Sequence, residues 1–173
     1  MAILHPELLV LLDAKGIEGH YEALFEGRPE VLARRLKDSA IDAVDQAIAT
    51  LAALPAGLRR PSVVFLCVTY KQINLGTGNK LRSLIGADED MSPRWSDPAL
   101  TPERMFFVSI QELEVLAGAV RQGQDLAQIL NQVLDDNRDA HRANFQLLQH
   151  LARYGSVPFP AANVAAFREV GGW

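Results

Sequence analysis

The stretch Ser62 to Tyr70, SVVFLCVTY, constrains the fold more than any other part of this chain. It is rich in β-branched and aromatic residues and follows Pro61, so it reads as a strand. Within it, Val63 to Val68 is apolar without alternation. A strand with no polar face must be covered on both sides, which places it in the middle of a sheet flanked by helices. That sets the class as α/β, with α+β as the alternative.

Neighbours for this strand come from two places. Arg104 to Ser109 supplies a second short strand, and Leu8 to Lys15, LLVLLDAK, is a candidate for a third. The latter has two readings. Pro6 at a first helical position, Lys15 in a last turn and Gly16 after it describe a short helix, and the leucines favour one. Against this, five consecutive apolar residues would make a helix hydrophobic on every side, which tips the reading toward strand. From Pro29, Val31, Leu32, Leu36, Ile41, Val44, Ile48 and Leu51 recur at helical spacing, with Ser39 as a break between two helices. Leu54, Pro55 and Gly57 end that pattern. A loop-rich span from Gln72 to Pro102 contains a short helix over Lys80 to Ile85. Ser109 and Glu112 form a capping box for a helix running to Val120, and Gly123 ends it. Leu126 to Leu134 and Ala143 to Leu151 give two more helices. The sum is a small mixed sheet packed by helices, with residues 1–155 as one domain and 156–173 as an irregular tail around Pro158 and Pro160. Three strands are few for a sheet. The rest would come from a partner or from hidden pairing of segments such as Ile73 to Leu75, unless the first run is no strand.

Composition narrows the function classes. The 173 residues are 49% hydrophobic and 22% charged, enough for one core that buries roughly two thirds of the unfolded surface. A net charge of −4 argues against coating nucleic acid by charge alone. The charge is uneven, however: residues 1–82 hold ten basic against nine acidic side chains, and 83–173 hold seven against twelve. Besides Lys15, the basic residues of the first part are Arg28, Arg34, Arg35, Lys37, Arg59, Arg60, Lys71, Lys80 and Arg82, and they permit a nucleic-acid face. A single cysteine, Cys67, excludes a disulfide framework and suits a reducing cytoplasm. The apolar run Leu8 to Leu12 is too short for a membrane span or a signal peptide. Gly76 to Lys80, GTGNK, lacks phosphate-loop spacing and reads as a turn. His5, His20, His141 and His150 share no ligand spacing and read as surface or helix-capping residues. Ser62, Ser83 and Cys67 stand in no nucleophile-elbow pattern.

Asp13 and Lys15 carry the chemistry. On a strand, residues two apart share a face and lie about 7 Å apart. A carboxylate there can hold a divalent cation while an ammonium orients a water beside a phosphate. This hydrophobic strand ending in Asp13-Ala14-Lys15 resembles the central motif of the PD-(D/E)XK nuclease superfamily. The resemblance extends in outline to the helix carrying Asp42, Asp45, Gln46 and Thr50, to the strands Val63 to Val68 and Met105 to Val108, and to the closing helices over Ile110 to Leu134. It implies a restriction-endonuclease-like core and a Mg2+-dependent endonuclease acting on nucleic acid. Asp13 would be the metal ligand, Lys15 the residue orienting the nucleophile and Gln46 a supporting polar group. The chain departs from the family pattern in one respect. Members carry a further acid on the strand before the motif, usually after a proline. Pro6 and Glu7 make such a pair, but the six residues to Asp13 cannot hold a turn and two strands. The second acid is therefore unassigned, with Glu18, Glu22 or solvent in its place, or the core is truncated or degenerate and the site inactive. The rival expectation is a non-catalytic, protein-binding or regulatory protein that meets another protein or its own copy through helices such as Ala140 to Leu151.

Overall fold

In the computed structural model, residues 1–16, 37–70, 75–85, 98–138 and 147–152 are described. Leu8–Lys15 is a strand, as the apolar run favours. It is β2 of a five-stranded sheet, after β1 (Ala2–Leu4) and before β3 (Ser62–Thr69), β4 (Gly76–Thr77) and β5 (Met105–Ser109). The sheet order is β1-β2-β3-β5-β4. β2, β3 and β5 run parallel, and β1 and β4 close the two edges antiparallel. The chain is thus α/β with a mixed sheet.

The two extra strands are the ones the sequence conceals. β1 forms a hairpin with β2, with His5 to Glu7 as the connection; the His5 N–H donates to the Leu8 carbonyl at 2.9 Å and the Leu12 N–H to Met1 at 2.8 Å. Pro6 and Glu7 therefore sit at the end of β2 opposite Asp13. The pair cannot supply an acid to Asp13. GTGNK is not a turn: Gly76 and Thr77 pair with Phe107 and Phe106 of β5, and the chain enters helix α2 (Gly78–Ile85) directly. Gly76 has φ +62, a left-handed conformation that a residue with a Cβ adopts only at a cost.

Helices cover both faces. On one face α1 (Asp42–Ala53) packs Val44, Ala47 and Leu51 against Leu9, Leu11, Phe65 and Phe107, with Leu81 of α2 in the same cluster. A five-residue π-helical stretch, Lys37–Ile41, precedes α1, and Leu54 caps its end at the proline expected to stop it. On the other face α3 (Ile110–Arg121), α4 (Leu126–Asn137) and α5 (Leu147–Leu151) pack Leu116, Leu130, Val133 and Leu147 on Leu8, Val10, Leu66 and Phe106. With both faces covered, the central strands lack a polar side, which is why β3 shows no alternation in its sequence. The starting residues of the long helix, 29–36, and the tail, 156–173, lie outside the described residues.

The capping box forms as the sequence predicts. Ser109 Oγ accepts from the Glu112 N–H, and Glu112 Oε2 accepts from the Ser109 N–H at 2.8 Å. Glu112 does more than its local motif requires, because its Oε1 accepts the Leu148 N–H at the start of α5 at 3.1 Å. The side chain is 2% exposed. Replacing it leaves the buried Ser109 N–H and the partly buried Leu148 N–H without an acceptor, at about 1–3 kcal/mol for a buried unsatisfied donor and less for the other. Glu112→Ala is expected to destabilise the fold by about 2–4 kcal/mol, read as a lower urea midpoint, with Glu112→Gln losing less because one amide oxygen remains.

Candidate functional site

Strand parity sets the site. Leu9 and Leu11 face α1, so Asp13 and Lys15, at the same parity, continue that face beyond the apolar core. The register aligns Asp13 with Cys67 of β3, and Lys15 with Thr69 and, one strand further, Ser109. All lie at the carboxyl ends of the three parallel strands, the end at which open α/β sheets generally take ligands.

The third residue comes from α1. Ala43, Val44, Ala47 and Leu51 bury one side of that helix, which leaves Gln46 and Thr50, one turn apart, on its flank. The Lys15 ammonium donates to Gln46 Oε1 at 2.8 Å and lies 3.0 Å from Asp13 Oδ2. The sheet and helix thus bring Asp13, Lys15 and Gln46 into one cluster. Thr50 donates its hydroxyl to the Gln46 carbonyl at 2.7 Å. Beside the cluster is a cleft of about 120 Å³ lined by Leu12, Asp13, Gln46, Ala47, Thr50 and Phe65, with Met1 at its rim. It has space for a few water molecules or one small polar group.

The Asp13 carboxylate is only partly used. Its Oδ2 is sealed from solvent and receives no aligned hydrogen bond, so the contact with Lys15 is a charge contact and the oxygen keeps its lone pairs unfilled. The side chains of Lys15 and Asp13 are 21% and 31% exposed. The pair is therefore partly covered, with its contacting oxygen turned away from solvent.

Among the described residues no group of three His, Cys, Asp or Glu side chains is placed to hold a metal. The donor set here is one carboxylate and one amide oxygen. Mg2+ is commonly held by one or two carboxylates together with waters and substrate phosphates. The cluster does not form a cage for such an ion on its own. Glu18 and Glu22 lie outside the described residues.

Beneath the cluster, Cys67 is buried and unpaired with another cysteine. Burial, reinforced by the negative charge of Asp13 and opposed by Lys15, pushes its thiol up to about 12. It is a neutral floor to the site and neither nucleophile nor metal ligand.

Other candidates are dispersed. Arg59 donates to the Leu54 and Ala52 carbonyls and Arg60 to those of His5, Gly57 and Arg59. Both guanidiniums tie down the connection entering β3, at the end of the sheet remote from Asp13, so they hold structure where the sequence permits a nucleic-acid face. Lys80 and Arg82 lie on α2; Arg28, Arg34, Arg35 and Lys71, and the side chain of Lys37, lie outside the described residues. His5 faces Asp125 at 3.4 Å near the surface. His150 is not a surface residue. It is 1% exposed and its Nδ1 lies 3.2 Å from Asp136 Oδ2, a buried pair that ties α5 to α4. No motif marks it, because its partner is fourteen residues away and only the packing of the two helices joins them.

No protein-family model matches this chain, no curated protein matches it, and no solved structure does.

The buried thiol gives a direct check on that geometry. With its pKa near 12 against an ordinary value of 9.0, the thiolate fraction at pH 8 is lower by about a thousandfold. Labelling of Cys67 by iodoacetamide at pH 8 should be undetectable in the native protein and rapid in urea. The raised value also means that the folded state holds its proton longer, so stability contributed by the neutral thiol is present below pH 9 and is lost as pH rises toward 12.

Proposed function

We propose that the chain is a metal-dependent nuclease-like protein that hydrolyses phosphodiester bonds of nucleic acid at the carboxyl end of β2. The observation that supports it best is the convergence of Asp13, Lys15 and Gln46 beside one cleft. Carboxylate, ammonium and amide are the three functions that such a hydrolysis asks of a protein: an anion to hold a cation, a cation to meet the phosphate and a neutral group to fix the cation's direction.

In this reading Asp13 would offer its carboxylate oxygens to Mg2+, and Gln46 supports Lys15 beside it. When bound, that ion supplies charge neutralisation at the scissile phosphate and favours deprotonation of the attacking water. Lys15 stays protonated and donates hydrogen bonds to the water or to a non-bridging phosphate oxygen, where negative charge grows as the new P–O bond forms. The attacking water gives up its proton to solvent, and the leaving oxygen departs with its bond to phosphorus broken and takes up a proton from solvent. Gln46 accepts one of the three ammonium hydrogens and so fixes where the other two point. Thr50, bonded to the helix backbone, stiffens the turn that presents Gln46.

No described helix is long and apolar enough to cross a membrane. The rival protein-binding reading would use the helix ending at Leu151, and in the described part of that helix the exposed apolar side chain is Leu148, at 43%. One such residue is ordinary for a protein surface, so the Asp13 cluster is the better supported of the two.

A survey of single- and double-stranded DNA and RNA with Mg2+ or Mn2+ tests the reading. Cleavage is expected, abolished by EDTA, lowered about 100- to 1,000-fold by Asp13→Ala and by Lys15→Ala, and lowered less by Gln46→Ala. Absence of cleavage by folded protein on all four substrates, or activity unaffected by Asp13→Ala, overturns it.

A further inference from the structure

Helix α3 carries an apolar stripe on a side that it does not give to the core. Leu116 and Ala119 are buried against the sheet. To one side of them, at 3.6 residues per turn, Ile110, Leu113, Ala117 and Val120 follow one another along a strip about 80° wide. Ile110 is 43% exposed and Val120 37%; Ala117 is exposed, and Leu113 is half-buried and packs in part against the core cluster. Steps of three, four and three residues are the a and d spacing at which one helix receives another. A single exposed apolar side chain is ordinary on a protein surface, whereas a continuous apolar strip marks an interaction site.

The charges beside the stripe decide what fits on it. Glu114 and Arg121 are seven residues apart, so they lie two turns from each other on the same margin of the strip, the one away from the core. Glu114 is partly exposed and Arg121 exposed. In heptad terms both are e positions, and in an antiparallel pair e residues face e residues. Two copies of α3 crossing near Ala117 therefore set Glu114 of each against Arg121 of the other, two ion pairs related by symmetry. A parallel pair has no such match, because the positions facing Glu114 and Arg121 would then be Ser109, Leu116 and Gly123. The small Ala117 at the centre lets the helices approach, and Ile110, Leu113 and Val120 fill the space on either side.

We propose that α3 is the docking surface for a second copy of this chain, packed antiparallel across a two-fold axis near Ala117, with the Glu114–Arg121 pairs fixing its direction. The surface lies across the sheet from Asp13, so it is independent of the nuclease reading. The stripe is preformed: the Ser109–Glu112 capping box locks the first turn of α3, and Gly123 at φ +92 stops the last, so association orders little new chain. A helix of 12 residues is about 18 Å long and offers less than the roughly 800 Å² per partner of a standard stable interface. The dimer is accordingly weak, with a Kd of about 10–100 µM.

Sedimentation velocity of the full chain from about 10 µM to 1 mM tests the proposal, with circular dichroism confirming that each variant is folded. Wild type is expected to pass from monomer to dimer over that range. Arg121→Glu and Glu114→Arg each set like charges opposite one another twice in the interface, and each should weaken dimerisation about tenfold or more. Mixed in equal amounts, the two variants bring opposite charges together again and should form a mixed dimer of about wild-type strength, a rescue that a packing defect in either chain would not give. Ala117→Glu, at an exposed position on the two-fold axis, should abolish the dimer without changing Glu114. A wild type that stays monomeric throughout overturns the proposal and leaves the stripe to a partner of another kind. A dimer indifferent to Ala117→Glu also overturns it, as does failure of the two folded reversal variants to pair when mixed.

Discussion

The in-register parallel pairing of β2, β3 and β5 is the constraint on which the rest depends. Three strands buried on both faces can satisfy their backbone groups only by pairing with one another, since no water reaches them. The pairing fixes side-chain parity across the sheet. Leu9 and Leu11 go toward α1, Leu8 and Val10 toward α3, α4 and α5, and Asp13 and Lys15 inherit the first of these directions. A slip of one residue in β2 would turn both charges into the three-helix layer and four leucines and valines the wrong way. The hydrophobic pattern of Leu8 to Leu11 thus positions the two charged residues that follow it.

The two faces use polar groups differently. On the three-helix face, Glu112 and the Asp136–His150 pair are buried and join α3, α4 and α5. On the α1 face the polar cluster is partly open and beside a cleft, and Asp13 Oδ2 receives no aligned hydrogen bond. Buried polar groups whose partners are in place are costly to move. That difference is why Asp13, Lys15 and Gln46 are the ones read as functional. The neutral Cys67 thiol below them adds no competing negative charge that would bind Lys15 or a metal elsewhere.

Much of this was legible in the sequence because it is local. The unbroken apolar run in β3 announced burial on two sides, Ser109 and Glu112 announced the start of α3, and Gly123, with φ +92, announced its end. The period-two relation of Asp13 and Lys15 follows from the strand alone, and Gln46 falls on α1 by helical spacing. What stayed hidden is non-local. β1 and β4 are three and two residues long, too short for any periodicity, and exist because an edge of the sheet is there to pair with. Asp136 and His150 meet only after two helices dock. Arg59 and Arg60 look like any basic pair until the carbonyls around them are known. The six residues from Glu7 to Asp13 hold no hairpin; the one that forms has its turn at His5 to Glu7 and its first strand before them.

The proposed nuclease activity requires Asp13, at the end of β2, to take a divalent cation when a phosphodiester is present. Paramagnetic broadening in two-dimensional NMR spectra of the labelled protein locates that cation most directly. With substoichiometric Mn2+ and a deoxydinucleotide, the amide signals of Leu12 to Lys15, Gln46 and Cys67 should broaden first, while those of α4 and α5 across the sheet persist. Broadening centred elsewhere, or spread evenly over the surface carboxylates, would contradict the account.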